Sequence, residues 1–191
     1  MSPASPSKSA LNPAAIPVSA RHTKGGVILS DCIASGALGT VWSGILIVED
    51  VPQTHHAIVA KITTTKEKNE ELYQEAMFYE GMAHLDLPVA RYYGLFEDCD
   101  GMTVLLLEDA GVQVDEFNDI SDGMKTKIYD AFCRLHDAGI SHNDVEPRNI
   151  LLTPSGEVKV VDFHVASEHK CLEDGCDYYK RLSRYLNFEL V

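Results

Sequence analysis

The chain has 191 residues, enough for one bilobal domain or two small ones, and its apolar fraction of 45% is ordinary for a globular protein. The formal net charge of −13 argues against nucleic acid or an anionic membrane surface as a partner, because both need a basic surface. An acidic protein can still bind a nucleotide where a local lysine and Mg²⁺ neutralise the phosphates. No apolar run reaches the ~18 residues that a membrane-spanning helix needs.

The N-terminal segment is rich in Pro, Ser and Ala and lacks the features of a secretory signal, so we predict a flexible tail over residues 1–24. The five cysteines are irregularly spaced, which does not indicate a disulfide framework and favours a reducing, intracellular compartment, cytosol or nucleus. Cys171 and Cys176 lie near His169 and His164, so a zinc site is one interpretation of this segment. Because the spacing is not that of a recognised zinc motif, free surface thiols are favoured.

Strand patterns dominate the first half of the chain. Short apolar runs broken by glycine predict two strands and a tight turn within residues 26–47, and a β-branched run predicts a third strand over 56–63. Two further runs, 90–98 and 102–109, predict a hairpin. Between them, residues 66–85 predict a helix. Its buried face is expected to carry Leu72, Glu75, Ala76, Tyr79 and Met82.

The second half of the chain predicts a helix over residues 122–138, with Gly139 as its stop. A polar loop follows, and then two short strands, 150–153 and 158–163, around a Pro-Ser-Gly turn. A last helix is expected from Asp177 to Leu186. Strands, helix, strands, helix and a small hairpin, in that order, are an α+β layout.

Three oxygen-bearing side chains after the second helix suit phosphoryl transfer from ATP. Asn149 follows Asp144 by five residues, and Asp162 follows Asn149 by thirteen, at the end of a strand. The reaction needs magnesium on hard oxygen ligands, a cation at the phosphates and a carboxylate to orient the attacking hydroxyl. Asn149 and Asp162 could converge on one metal ion, with Asp144 beside them as base or positioning group.

Five segments resemble the motifs of protein kinases. HNDVEPRN, His142–Asn149, resembles the catalytic loop H-R-D-x-x-x-x-N, and Asp162–His164 resembles D-F-G. VAK at Val59–Lys61 resembles the strand motif V-A-I-K. ASGALGTV, Ala34–Val41, resembles G-x-G-x-x-G-x-V with its first glycine replaced, and LLLED at Leu105–Asp109 resembles the hinge.

The resemblance implies a protein-kinase-like bilobal α+β fold, with an N-terminal lobe over residues 25–109 and a reduced C-terminal lobe over residues 110–191. It implies ATP and Mg²⁺ as cofactors and Asp144 as the catalytic carboxylate. Lys61 would bind the phosphates and pair with Glu75, fourteen residues later. The other nucleotide-binding positions that it implies are Gly36, Gly39, Val41, Ala60, Leu107 and Glu108, and the implied metal ligands are Asn149 and Asp162.

Several positions depart from the protein-kinase pattern. Asn143 replaces an arginine that many protein kinases use to bind an activation-loop phosphate; aminoglycoside- and choline-type kinases often lack this arginine too. Glu146 replaces a lysine near the transferred phosphate, and Arg148 could supply the missing positive charge in catalysis. His164 replaces the flexible glycine of D-F-G. His142 is expected to pack against Phe163 rather than to act as an acid or base.

The segment after Asp162 has 29 residues and no A-P-E motif, so a minimal kinase, a fragment and a pseudokinase all remain open. With the motif residues present, the sequence predicts an ATP-dependent phosphotransferase that acts on a hydroxyl, with protein as the favoured acceptor. The alternatives are a small-molecule kinase and a pseudokinase that serves as an interaction module. A nucleotide and an unknown protein or small-molecule acceptor are the expected partners, without nucleic acid or membrane.

Overall fold

A six-stranded antiparallel sheet forms the first half of the chain in the computed structural model, which describes residues 16–20, 23–36, 39–49, 54–171 and 176–187. Its strands are β1 (Ile16–Ala20), β2 (Thr23–Gly36), β3 (Gly39–Val48), β4 (Thr54–Thr63), β5 (Tyr92–Glu97) and β6 (Thr103–Glu108). They pair in the order β1-β2-β3-β4-β6-β5. The predicted strands and the predicted hairpin of β5 and β6 are therefore confirmed.

The sheet begins earlier than the boundary predicted at residue 25. Ile16–Ala20 pairs antiparallel with Thr23 to Val27 along the edge of β2, so part of the segment predicted as a tail is a strand in the structure. A backbone that joins a sheet edge satisfies its N–H and C=O groups, which amino-acid composition does not anticipate. The predicted tail residues 1–15 lie outside the described residues.

Helix α1 (Lys66–Met82) packs against β4, β5 and β6. All five residues predicted for its inner face are buried, and Asn69 is buried with them. A buried carboxylate at Glu75 costs free energy unless a cation or hydrogen bonds compensate it, so the helix face itself points to a polar partner on the sheet.

The second half holds two further helices and five short strands in the described residues: β7 (Val112–Gln113), α2 (Asp122–Asp137), β8 (Ile140–Ser141), β9 (Ile150–Leu152), β10 (Val158–Val160), β11 (Ser167–Glu168) and α3 (Tyr178–Tyr185). β9 pairs with β7 and β10, while β8 pairs with β11. The predicted α2, the small hairpin and α3 are confirmed. No helix among the described residues is long and apolar enough to cross a membrane.

The ends of α2 follow its sequence signals. The Ser121 hydroxyl accepts a hydrogen bond from the Met124 N–H at 3.3 Å and caps the first turn. Gly139 stops the helix with a φ of +82°, a left-handed conformation that favours glycine. The chain then enters β8 and the segment 142–149, which was predicted as a plain loop and contains one turn of 3₁₀ helix at Pro147–Asn149.

Strand β6 separates two apolar cores. Val104 and Leu106 face a core shared by β2, β3 and β4, whereas Leu105 and Leu107 face the larger core that joins the sheet to α1, α2 and α3. Alternate side chains of a strand point to opposite faces, so a strand covered on both sides reads as a continuous apolar run. The larger core connects the two halves of the chain, and the predicted α+β fold is confirmed.

Candidate active site

An ion pair between β4 and α1 lies at the centre of the site. Lys61 Nζ donates to both carboxylate oxygens of Glu75, at 2.8 and 2.9 Å. The Glu75 side chain is 2% exposed, and its burial raises the pKa of this carboxyl against the attraction of Lys61. The structure therefore brings together the lysine and the glutamate that the motifs pair.

Asp162 joins this pair from the far end of the chain. Lys61 Nζ donates to Asp162 Oδ1 at 2.8 Å, and His164 Nδ1 donates to the same oxygen at 2.9 Å. Burial opposes ionisation, but these two neighbours lower the pKa of Asp162 below its ordinary value. The pKa of Lys61 is raised, because the two carboxylates outweigh the effect of burial. At neutral pH the site holds an ionised Asp162 facing a charged lysine.

The backbone at Asp162 has a φ of +71°, an uncommon conformation for a residue other than glycine. The next residue, Phe163, is fully buried, and its N–H donates to Glu75 Oε1 at 3.3 Å. Its ring packs edge-on against Tyr79 at 5.1 Å and His142 at 4.7 Å between centroids. Tertiary packing of Phe163 thus holds Asp162 in this conformation.

His142 uses both ring nitrogens to hold the loop. Its Nδ1 accepts the N–H of Asp144 at 3.3 Å, so Nε2 carries the proton and donates to the Val161 carbonyl at 2.9 Å. Burial lowers the pKa of His142, which keeps the ring neutral. The structure places His142 against Phe163, as expected of a packing residue.

The segment after His142 brings two polar side chains to one carboxylate oxygen of Asp144. Asp144 Oδ2 accepts hydrogen bonds from Arg148 Nη2 and Asn149 Nδ2, each at 2.8 Å. The Asn149 carbonyl accepts the N–H of Val161 at 2.9 Å, which ties this loop to the strand that leads to Asp162. The side chains of Arg148 and Asn149, four and five residues after Asp144, thereby orient its carboxylate.

A cavity of about 360 Å³ lies between the β2–β3 hairpin, β4 and α1. Seven residues predicted from the motifs line it: Gly36, Gly39, Val41, Lys61, Glu75, Arg148 and Asp162. His164, Lys68 and Glu71 also line it, and sequence reasoning missed Lys68 and Glu71. Their helical spacing could have indicated them, because Lys68 precedes Glu75 by two turns on the same face of α1.

The two glycines of the hairpin differ in what they allow. A Cβ on Gly39 would lie 2.2 Å from the Ile62 carbonyl oxygen, and the residue has a φ of +124°, so glycine is required there by the packing of β3 on β4. A Cβ on Gly36 would meet none of the described atoms within 4 Å, and Gly36 lines the cavity.

Three predicted nucleotide-binding residues are not brought to this cavity. Ala60 is fully buried on the opposite face of the sheet, beside Ile58 and Leu106. VAK is one residue shorter than V-A-I-K, and strand alternation therefore puts Val59, not Ala60, on the face of Lys61. Leu107 lies in the larger core, and Glu108 Oε2 accepts the N–H of Arg91 at 3.1 Å.

Asn143 makes contacts that its position in the motif does not suggest. It has a φ of +64°, and its Nδ2 donates to the Val165 carbonyl at 3.0 Å and to Ser167 Oγ at 2.9 Å. The residue that stands where many protein kinases have arginine therefore ties the catalytic loop to the segment after Asp162.

A second, smaller cavity, of about 160 Å³, is lined by Asp144. Glu146 is exposed and lines this cavity rather than the one beside Lys61, so its carboxylate lies apart from the lysine. Helix α3 forms the opposite wall through Tyr178, Arg181 and Tyr185. An acceptor that reaches Asp144 from this side would contact α3.

The side chains around Cys171 and Cys176 form a separate group. His169 belongs to it, but His164, the other histidine considered for a zinc site, instead contacts Asp162. The second histidine of the group is His136, near the end of α2. A contact between residues this far apart in the chain has no local sequence signal, which is why His136 was missed.

These geometries agree with a comparison against known proteins, in which the protein kinase domain family matches residues 30–185. The chain belongs to this family. The kinase domain is 26% identical to Cell division control protein 7 of Schizosaccharomyces pombe over 157 residues, which cover 78% of this chain and 14% of that protein. It is 31% identical to the serine/threonine-protein kinase SSK22 of Saccharomyces cerevisiae over 150 residues, which cover 70% of this chain and 11% of that protein.

A third relative, the MAP kinase kinase MKK1/SSP32 of Saccharomyces cerevisiae, is 27% identical over 125 residues, which cover 58% of this chain and 24% of that protein. The kinase domain thus spans a quarter or less of the length of these three curated relatives. The likeness concerns the domain and not the remainder of those longer proteins.

Proposed function

We propose that this kinase domain transfers the γ-phosphate of Mg-ATP to a hydroxyl group. The observation that carries the proposal is the Lys61 ammonium, which lies 2.8 Å from both Glu75 and Asp162 in the wall of a 360 Å³ cavity. Kinase activity requires the lysine–glutamate pair and the metal-binding aspartate to be in place together. The burial of Phe163 supports the same arrangement.

The residues present fit a magnesium ion and a triphosphate. Asp162 offers a carboxylate and Asn149 an amide oxygen, the hard ligands that magnesium prefers. The Nδ2 of Asn149 is engaged by Asp144, which leaves its Oδ1 as the atom for a metal. Lys61 and Lys68 supply positive charge in the cavity. Bound Mg²⁺ would neutralise charge that develops on the transferred phosphate.

Asp144 is proposed to orient the acceptor hydroxyl and to accept its proton. Asn149 and Arg148 hold its Oδ2, so the carboxylate is already positioned before a substrate arrives. Arg148 also lines the cavity of Lys61, and we assign it the positive charge that Glu146 does not provide. Its side chain is 59% exposed and can therefore turn from Asp144 toward a phosphate.

A protein hydroxyl is the acceptor that the comparisons favour, since the similar SSK22 is named a serine/threonine-protein kinase. One observation favours a small molecule instead. Helix α3 walls the 160 Å³ cavity beside Asp144, and a space of that size suits a small alcohol better than an extended peptide.

Transfer assays on the full chain test the proposal, with a mixed Ser/Thr/Tyr peptide pool in one arm and amino-alcohols and aminoglycosides in the other. We expect Asp144→Asn to bind Mg-ATP but to lose at least about 10²-fold in turnover. Asp162→Asn should lose Mg-dependent ATP binding. Asp100→Asn, which removes an exposed carboxylate in the β5–β6 turn, is the matched control and should change neither.

The peptide assays and the small-molecule assays together distinguish a protein kinase, a small-molecule kinase and an interaction module. Transfer to peptides supports the protein kinase, and transfer to the small alcohols alone would assign the second candidate. If the wild-type chain binds Mg-ATP but transfers phosphate in neither arm, with Asp144→Asn indistinguishable from it, the domain is an interaction module and the proposal fails.

A further inference from the structure

Four nitrogen- and sulfur-bearing side chains converge outside the nucleotide cleft. One ligand atom each from His136, His169, Cys171 and Cys176 lies within 4.8 Å of the other three. They come from three segments: the end of α2, the stretch that follows β11, and Cys176, two residues before the start of α3. Nothing in the proposed phosphoryl transfer uses any of them.

The distances between these atoms suit a tetrahedral metal. Cys176 Sγ lies 3.2 Å from His136 Nε2 and 3.5 Å from His169 Nε2, and Cys171 Sγ lies 3.4 Å from His136 Nε2. Zinc–sulfur bonds of about 2.3 Å and zinc–nitrogen bonds of about 2.0 Å put the ligands of a tetrahedral site ~3.5 Å apart. The four atoms therefore need little movement to share one ion.

Hydrogen bonding among the four groups is a poorer account of the cluster. The Nε2 lone pair of His136 can accept from only one of the two thiols, so Cys171 would donate to His136 and Cys176 to His169, and the 3.2 Å contact between Cys176 and His136, the shortest of the three, would go unused. A disulfide between Cys171 and Cys176 would have no S–H to donate, and both imidazoles would then face sulfurs without a hydrogen. A bound cation would instead engage all four ligand atoms at once.

The surroundings of His136 hold it in the form that binds metal. Its Nδ1 lies 3.1 Å from the Tyr179 hydroxyl, which donates to Asp137, so the hydroxyl accepts from Nδ1–H and leaves the Nε2 lone pair facing the sulfurs. The ring is 3% exposed and stacks on Tyr178 at 4.3 Å. A second partner that fixes the tautomer in this way is usual for metal-binding histidines.

We infer that His136, His169, Cys171 and Cys176 form a structural zinc site that joins α2 to the start of α3. Two thiolates and two neutral imidazoles are a borderline-soft set that selects Zn²⁺ over magnesium or calcium. Each thiol loses its proton to solvent when its Zn–S bond forms, so binding releases two protons and the two thiolates balance the ion's charge. With all four positions filled by protein, the site is closed and structural rather than catalytic.

Metal titration of the full 191-residue chain tests this inference, using protein stripped with a chelator and kept in reductant. We expect one Zn²⁺ per chain, two protons released, and, with Co²⁺ as the probe, a thiolate-to-cobalt absorption with the visible bands of a tetrahedral site. Cys171→Ser/Cys176→Ser should abolish stoichiometric binding. The exposed, distant Cys32→Ser/Cys99→Ser variant is the matched control and should bind like wild type.

A gentler variant keeps the test decisive if the double serine variant does not fold. Tyr179→Phe removes only the hydroxyl that accepts from His136 Nδ1, and we expect it to weaken zinc binding by about 10- to 100-fold with the same stoichiometry. Wild-type protein that takes up no metal, a Co²⁺ spectrum without thiolate absorption, or a Cys171–Cys176 disulfide that persists in reductant would each overturn the inference.

Discussion

The nucleotide cleft and the histidine–cysteine cluster both gather residues from distant parts of the chain, but they differ in how their charge is balanced. In the cleft, Lys61 contacts both Glu75 and Asp162, so each of these charged groups has an opposite charge beside it. In the cluster, two thiols and two imidazoles meet, and neither a lysine nor an arginine is among them. The cleft is therefore assembled before its ligand binds, whereas the cluster needs a cation to complete it.

This difference predicts that substitutions at the two sites will lower the stability of the protein under different conditions. Removing one partner in the cleft leaves a buried charge without its counter-charge, and this lowers the free energy of unfolding whether or not a ligand is present. Removing the two cysteines of the cluster leaves no buried charge behind, so the main change in stability should come through the bound metal. The experiments below separate the two kinds of site, starting with the largest effect.

Lys61→Met should give the greatest loss of stability, because it strands the 2% exposed Glu75 carboxylate. We expect the free energy of unfolding, measured by urea titration, to fall by about 3–5 kcal/mol. Adding Glu75→Gln should recover part of this loss. Lys68→Met, which removes a cavity lysine that is not part of the ion pair, is the control. Equal losses for both lysine variants would contradict the compensation argument.

Removal of zinc should give the second-largest loss of stability, and this loss should depend on the histidine–cysteine cluster. At free zinc of about 100 times Kd, mass action stabilises the native state by ~2.7 kcal/mol, and a strong chelator should remove this stabilisation reversibly. Thermal melts with and without the chelator measure the effect. The Cys171→Ser/Cys176→Ser variant should be insensitive to the chelator, and a similar shift in that variant would place the metal elsewhere.

Arg148→Ala should affect turnover more than stability. Its guanidinium is exposed, so its ion pair with Asp144 adds little to folding, less than ~1 kcal/mol. If Arg148 supplies charge at the transferred phosphate, the loss should be roughly 10²-fold in kcat, as for other groups that stabilise a transition state. Arg134→Ala is the control, since Arg134 bonds to Asp86 and is not among the residues lining the cavity. Unchanged turnover in Arg148→Ala would show that Arg148 does not supply charge at the transferred phosphate.

Asn143→Ala should give the smallest effect, about 1–2 kcal/mol in unfolding free energy, through the lost hydrogen bonds to Val165 and Ser167. Asn143→Gly separates two causes, because glycine adopts the φ of +64° freely while lacking the amide. If glycine restores stability fully, backbone conformation and not the amide accounts for the loss. Circular-dichroism melts of both variants would decide this.

Short motifs carried the prediction of the site, whose roles stay predictions. The spacing of Asp144, Asn149 and Asp162 predicted a shared metal and base centre, and the helical pattern of α1 predicted that Glu75 faces inward. The motif comparison assigned Ala60 to the nucleotide-binding face, but the structure places it on the opposite face of the sheet. VAK has one residue fewer than V-A-I-K between the alanine and the lysine, and a shift of one residue along a strand moves a side chain to the other face. The motifs also missed Lys68, although its helical spacing to Glu75 was available.

By itself, the sequence determined the α+β fold, the position of each helix and the inward-facing Glu75, since periodicity is a local property, and the resemblance to protein kinases implied its pairing with Lys61. Only the tertiary structure decided that Asp162 reaches Lys61 across the cleft, that α3 lies beside Asp144 and that His136 meets His169 and the two cysteines. These contacts join residues up to 101 positions apart. They arise from burying α1, α2 and α3 in one common core, and no local pattern records which side chains that packing brings together.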